Sequence, residues 1–180
     1  MQAFDEHKIL LGCKKNDRKA QQALFQFYAD KMLGLCIRYI KDKAQSEEIM
    51  IVGFTKVFDK INTYRGDGSF EGWIKRLMVN ECLMYLRKQQ RIGHLSDIEE
   101  INQEEASVQP ETGLEAKELL QMIHELPDGY KAVFNMYAIE GYSHKEISKA
   151  LGINEGTSKS QLSKARKFLQ SLITKYQQIS

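Results

Sequence analysis

The chain has 180 residues, of which 42% are hydrophobic and 28% charged, and a formal net charge of +2. That composition suits a globular protein with room for one large domain or two small ones. It excludes a membrane span, since no stretch approaches the roughly 20 apolar residues one needs, and a balance so near neutrality does not by itself announce a nucleic-acid partner.

Asp5 and Glu6 precede the first short apolar run, which is unlike a secretion signal. Residues 4–14 predict a short helix with Ile9 and Leu10 inward. Asn16 or Asp17 is placed to cap a longer helix reaching about residue 40, with Ala20, Leu24, Phe27, Met32, Leu35, Cys36 and Tyr39 at its apolar positions. A third helix is expected over 46–61, with Ile49, Val52, Val57 and Ile61 among its apolar residues. Residues 62–69, NTYRGDGS, break the pattern with two glycines. A fourth helix then runs over 70–90, where Phe70, Ile74, Leu77, Met78, Cys82, Tyr85 and Leu86 supply more apolar surface than one exposed helix needs. These elements predict a compact helical domain over 1–91.

The composition changes over 92–113. Residues 93–113 hold six acids (Asp97, Glu99, Glu100, Glu104, Glu105 and Glu111) and no Lys or Arg. With one of the chain's two prolines and no sustained period, this segment reads as a flexible acidic linker. A second helical domain is expected over 114–180. Leu119, Leu120, Met122 and Ile123 face inward on its first helix. Leu126-Pro127 marks a boundary, and Val133, Phe134, Tyr137 and Ile139 belong to the helix that follows. The fold class is therefore all-α: two small helical domains joined by a linker.

Residues 141–169 read as a helix-turn-helix. Ser143 and Glu146 form a capping box at a helix start. Ile147, Ala150 and Leu151 make one apolar face, and Gly152 stands where a helix ends at positive φ. Asn154 caps a second helix from about Glu155, whose Leu162, Ala165 and Leu169 pack inward with Ser158 on the same stripe. The other face carries Thr157, Lys159, Ser160, Gln161, Ser163, Lys164, Arg166 and Lys167. Such a face suits a major groove, where cations meet phosphates and Ser or Gln reaches base edges. A second stretch, 64–87, interleaves Tyr64, Phe70, Trp73 and Tyr85 with Arg65, Lys75, Arg76 and Arg87. Aromatics among cations bind opened strands by stacking on bases, and the loop from Arg65 to Ser69 has room for a base turned out of the stack. Phe70 reads as core. Trp73 stands open between core and base stacking.

Few residues stand in a pattern that carries chemistry. His7, His94, His124 and His144 are isolated, and His144 reads as an exposed helix residue. Gly66-Asp67-Gly68 lacks the context of a phosphate loop. Cys13, Cys36 and Cys82 form no metal or redox pattern and read as reduced thiols, which fits a cytoplasmic protein. The expectation is a protein without catalytic residues, metal or cofactor, and not an enzyme.

Together two stretches resemble the extracytoplasmic-function group of the bacterial sigma-70 family: GSFEGWIKRLMVNECLMYLRK is similar to the end of its second domain, and LPDGYKAVFNMYAIEGYSHKEISKALGINEGTSKSQLSKARKFL to nearly all of its fourth. The resemblance covers nearly the whole chain, and its implications are specific. The chain would join core RNA polymerase, direct it to promoter DNA and aid opening. Residues 1–91 would be sigma domain two and 114–180 sigma domain four. The −35 element would meet Ser160, Gln161 and Lys164 at base edges, and Thr157, Lys159, Arg166 and Lys167 at phosphates. The −10 element would meet Arg65, Ser69, Trp73, Lys75, Arg76 and Asn80, although Asn80 suits a buried helix–helix hydrogen bond somewhat better. Glu47, Glu48, Phe54 and Phe58 would dock on the clamp helices of the largest polymerase subunit. There the chain departs from the family, with Ile51 and Val52 where a Gln and an acid are common. That apolar pair weakens docking, belongs to the fold, or serves another partner. The resemblance also implies an anti-sigma factor, with no membrane insertion of this chain itself. Two other readings compete: a stand-alone DNA-binding regulator, and a helical adaptor with an acidic partner.

Overall fold

A computed structural model describes residues 5–89 and 116–177. The segment expected to be a linker lies outside the described residues. Among the described residues there are helices and turns but no strand, and the chain divides into two compact units between Tyr85 and Leu86.

In the first unit, α1 (Glu6–Lys14), α2 (Arg18–Tyr39), α3 (Lys43–Lys60) and α4 (Phe70–Lys88), the last as far as Tyr85, follow in order. Acidic side chains set the starts. Asp5 accepts from the Lys8 N–H at 3.1 Å, Asp17 from Lys19 at 2.8 Å and Asp42 from Gln45 at 2.8 Å. A carboxylate there satisfies orphan amides and meets the positive end of the helix dipole. Of the two candidate caps for α2, Asp17 serves. Asn16 instead turns the chain out of α1 at a φ of 58°, a left-handed conformation that asparagine tolerates. The start of α3 lies at Lys43, three residues before the expected Ser46. Ser46 is fully buried inside the helix, where its single hydroxyl proton is shared between the carbonyls of Asp42 (2.8 Å) and Ile40 (3.0 Å). It locks the α2–α3 corner without leaving a polar atom unsatisfied.

The core of this unit is built on Leu24, Tyr28, Met32, Leu35 and Tyr39 of α2, Phe54 and Val57 of α3 and Phe70, Ile74 and Met78 of α4, with Tyr28 edge-on to Phe70 at 6.2 Å. Phe27 was expected inward but is 43% exposed. The buried stripe of α2 runs through 24, 28, 32, 35 and 39, and Phe27 lies about 100° round the helix from Tyr28. Between α3 and α4 the Lys56 ammonium meets the Glu81 carboxylate at 2.7 Å, with the Glu81 side chain only 10% exposed.

The second unit holds α5 (Ala116–Glu125), α6 (Asp128–Phe134), α7 (His144–Leu151) and α8 (Glu155–Gln177). On α5, Met122 is buried but Leu119 is 39% exposed, so the expected inward run is narrower. Tyr176 near the end of α8 donates to the Glu118 carboxylate of α5. Pro127 precedes α6, one position earlier than the first turn expected for it. The largest departure is at Asn135–Ile139, where α6 widens into a π turn. The extra residue per turn rotates the following side chains by about 100°, leaving Tyr137 and Ile139 36% and 42% exposed.

Candidate nucleic-acid interface

The helix-turn-helix forms as the sequence dictates. The Ser143 hydroxyl accepts from the Glu146 N–H, and the Glu146 carboxylate accepts from the Ser143 N–H at 2.9 Å. Gly152 takes a φ of 71°, and its N–H and that of Ile153 both reach the Ser148 carbonyl. A side chain there would strain a conformation that glycine adopts freely. Asn154 Oδ1 then accepts from the Thr157 N–H and starts α8. Ile147 and Leu151 of α7 are buried, as are Leu162 and Ala165 of α8.

Along α8, Lys159, Arg166 and Lys167 are exposed, while Thr157, Ser160 and Lys164 are half-buried. Gln161 is not on this face. It is fully buried, and neither its Nε2 nor its Oε1 has a hydrogen-bond partner among the described residues. Its base-reading role is therefore corrected. The inward stripe of α8 runs through 158, 161, 162 and 165, four residues per two turns rather than the three that the apolar pattern marked. Ser160 keeps its place, with its hydroxyl donating to the Thr157 carbonyl at 3.0 Å.

One cluster escaped the sequence. His144 Nδ1 lies 2.8 Å from the Ser158 hydroxyl, and Ser158 is fully buried. The His144 ring stacks on Tyr137 of the π turn, centroids 4.5 Å apart and planes 22° from parallel. The Arg166 guanidinium stands 5.8 Å from the centre of the same Tyr137 ring. The π turn that brings Tyr137 to this point has no signature in a hydrophobic pattern, so His144 read as an ordinary surface residue. Burial, and then the Lys159 charge, hold the His144 pKa below its usual value; Glu155 opposes them and Arg166 adds to them. A histidine with a lowered folded-state pKa leaves stability unchanged above its unfolded pKa of about 6.5, and stability is lost as the pH falls through that value toward the folded pKa. Thermal melts at pH 7 and 5.5 are therefore expected to show a larger loss for the wild type than for His144→Gln. Equal losses would overturn this assignment.

The first unit presents a second surface. Tyr64 packs against Phe70 (5.0 Å between centroids) and Trp73 (5.6 Å), and its hydroxyl donates to the Gly68 carbonyl at 2.8 Å, bracing the loop before α4. Gly66 and Gly68 both have positive φ. Phe70 is 1% exposed and belongs to the core, as expected. Trp73, stacked on Phe70 at 5.7 Å, is half-buried, so one part of its ring serves the fold and another meets solvent. Arg65 and Arg76 are exposed. Ser69 is exposed, but its hydroxyl accepts from the Gly72 N–H at 3.0 Å and so caps α4. Lys75 pairs with Glu71 at 3.1 Å. Glu71 also accepts from Lys31, and these two cations, Lys31 first, hold its carboxyl below the usual range against the opposing effect of burial. Asn80 is exposed rather than buried in a helix–helix contact.

On α3, Glu47 and Glu48 are exposed, and Ile51 and Val52 are 51% and 47% exposed. Of the three readings of that apolar pair, membership in the fold is excluded. Phe54 is the reverse case. It is 2% exposed and edge-on to Phe25 at 4.8 Å, so it fills this protein's own core and not a pocket on a partner. Phe58 is half-buried. Among the described residues no group of His, Cys, Asp and Glu is placed to hold a metal ion, and no helix is long and apolar enough to cross a membrane.

Residues 24–92 match the family Sigma-70 region 2, and residues 116–169 match Sigma-70, region 4. The ECF RNA polymerase sigma-E factor of Haemophilus influenzae is 27% identical, covering 89% of this chain and 90% of its own. The RNA polymerase sigma-H factor of Pseudomonas aeruginosa is 23% identical over the same shares. Among solved structures, the sigma factor RpoE in complex with the anti-sigma factor NepR from Bartonella quintana aligns with a TM-score of 0.57 at 17% identity, covering 85% of this chain and 96% of that one. CnrH in complex with the cytosolic domain of CnrY aligns with a TM-score of 0.54 at 13% identity, over 92% and 95%. At those identities the two structures speak to the fold.

Proposed function

The chain belongs to the sigma-70 family, in its extracytoplasmic-function group, and on that premise we propose how its two units divide the work of a sigma factor. As such a factor it directs core RNA polymerase to specific promoters and aids their opening. It is a transcription initiation factor, and no catalytic step is assigned to it. Domain two spans 1–91, a linker 92–113 and domain four 114–180.

The observation that carries this division is the order of the two surfaces. The acidic, solvent-facing side of α3 and the aromatic-cationic surface at the start of α4 lie within the region 2 match. The basic face of α8 lies within the region 4 match. Glu47 and Glu48 meet basic residues on the polymerase clamp helices, and Phe58 adds apolar contact beside them. Arg65, Trp73, Arg76 and Asn80 engage the opened −10 strand, with Ser69 and Lys75 holding the loop and the helix start. In the −35 major groove, Ser160 and Lys164 approach base edges, while Thr157, Lys159, Arg166 and Lys167 hold phosphates. The protein works in the cytoplasm, where polymerase and promoter are. An anti-sigma factor holds it until a signal arrives; two of its structural neighbours are captured in such complexes or with a cytosolic partner domain.

Co-elution with purified core polymerase on a sizing column, followed by promoter-dependent transcription from a randomised template library, tests the reading. A stable complex that enriches one promoter class is expected, and failure of both would overturn it. Within the enriched promoter, Lys164→Ala is expected to relax the preference at one −35 position by about 1–3 kcal/mol. An unchanged preference profile would remove Lys164 from the base-reading set.

A further inference from the structure

Arg166 lies on the basic face of α8, and it is exposed. A long, exposed arginine side chain loses up to about 2 kcal/mol of rotamer freedom when a phosphate fixes it. Something that holds it beforehand removes part of that cost. Tyr137 is in place to do so. Its ring stands under the Arg166 guanidinium at 5.8 Å. A guanidinium held over an aromatic face uses its π surface for that contact, and its N–H donors, which lie in its plane, stay available for phosphate oxygens.

The ring is itself held by neighbours. Tyr137 sits in the π turn Asn135–Ile139 and stacks on His144 at 4.5 Å. His144 belongs to the first turn of α7 and bonds the buried Ser158 of α8 at 2.8 Å. Three elements of one unit thus converge on one side chain. The π turn supplies the ring, α7 supplies the imidazole stacked on it, and α8 supplies both the anchor, Ser158, and the cation, Arg166. An α-helical turn at 135–139 would carry Tyr137 to a different angle, so the irregularity in the backbone is what aims the ring. Tyr137 at 36% exposure would otherwise be an aromatic left in solvent with no structural reason.

We propose that Tyr137 is a positioning residue for DNA binding, holding Arg166 over its ring so that the guanidinium is pre-set for a backbone phosphate at the edge of the helix-turn-helix. This rests on the reading of α8 as a promoter-binding helix. Tyr137 touches no DNA in this account; it acts through Arg166, with His144 keeping the ring in place.

The test is a double-mutant cycle on the full chain assembled with core polymerase, binding a duplex that the same complex enriches from a random library. Tyr137→Leu, which keeps apolar bulk and loses the ring, is expected to weaken binding about two- to fivefold, the range of an exposed cation–π contact. Arg166→Ala is expected to lower the slope of log affinity against log salt by about one. In the Arg166→Ala background the Tyr137→Leu loss should vanish, because the ring then has nothing to hold. Tyr137→Phe should keep wild-type affinity and slope. A Tyr137→Leu loss that persists undiminished without Arg166 would mark a merely structural role and overturn the proposal, as would a Tyr137→Leu variant equal to wild type or an Arg166→Ala variant with an unchanged salt slope. If wild type enriches no duplex, the promoter-binding reading itself fails, and this inference falls with it.

Discussion

Phe54→Ala is expected to cost the first unit about 3–5 kcal/mol, the range for deleting a fully buried aromatic side chain, and so to unfold much of it. Phe54 is 2% exposed and meets Phe25 edge-on at 4.8 Å and Phe58 at 6.3 Å. Removing its ring leaves a cavity among helices that the rigid α2–α3 corner, with its buried Ser46, keeps from closing. Urea denaturation followed by the fluorescence of Trp73, the chain's one tryptophan, reads this unit directly. The midpoint should fall sharply for Phe54→Ala and much less for Phe58→Ala, whose ring is only half-buried. Phe54→Ala will also lose polymerase binding, but as a consequence of unfolding. A variant that kept its urea midpoint and lost only polymerase would return Phe54 to the docking surface.

Reversing Glu47 and Glu48 together to Lys is the second large effect. Both carboxylates are exposed. Glu47 has Lys43 at 3.8 Å and Glu48 has the Gln45 amide at 3.2 Å. These are surface contacts of the kind worth little to stability, so the helical spectrum and the urea midpoint should barely move. Opposing like charges across an interface, in contrast, costs several kcal/mol. Affinity for core polymerase is expected to fall about 100-fold or more, measured by titration of labelled chain into core. Ile51 and Val52 project into solvent on the same helix, so replacing them with Gln and Glu should be equally neutral for folding. That makes the affinity of such a variant a clean reading of what the apolar pair does at the interface. If the Glu47, Glu48 reversal leaves polymerase affinity unchanged, the acidic side of α3 is not the docking face.

The family and the helix-turn-helix were legible in the residues themselves because the signals are local. A capping box needs only Ser143 and Glu146 three residues apart, and Gly152 and Asn154 fix the turn by their own conformational preferences. Helix starts at Asp5, Asp17 and Asp42 obey the same logic; α3 begins three residues before position 46 because Asp42 caps it, while Ser46 is spent on a buried corner. Charge likewise concentrated on α8 by sequence alone.

What the sequence could not decide was which flank of each helix a neighbour covers. Phe54 and Phe58 are the same residue type four apart, and only the packing of α2 against α3 buries the first and leaves the second half-exposed. Gln161 is polar, so pattern reading put it outside, whereas the tertiary stripe on α8 is wide enough to enclose it. Asn80 went the other way, from an expected buried amide to an exposed one. Tyr137, His144, Ser158 and Arg166 are spread over 30 positions of sequence and meet only because the backbone inserts a π turn at Asn135–Ile139. Local chemistry determines where helices begin and end, since caps and turns act within four residues. Burial and the aim of a side chain depend on contacts between elements far apart in the chain, and those exist only once the helices have packed.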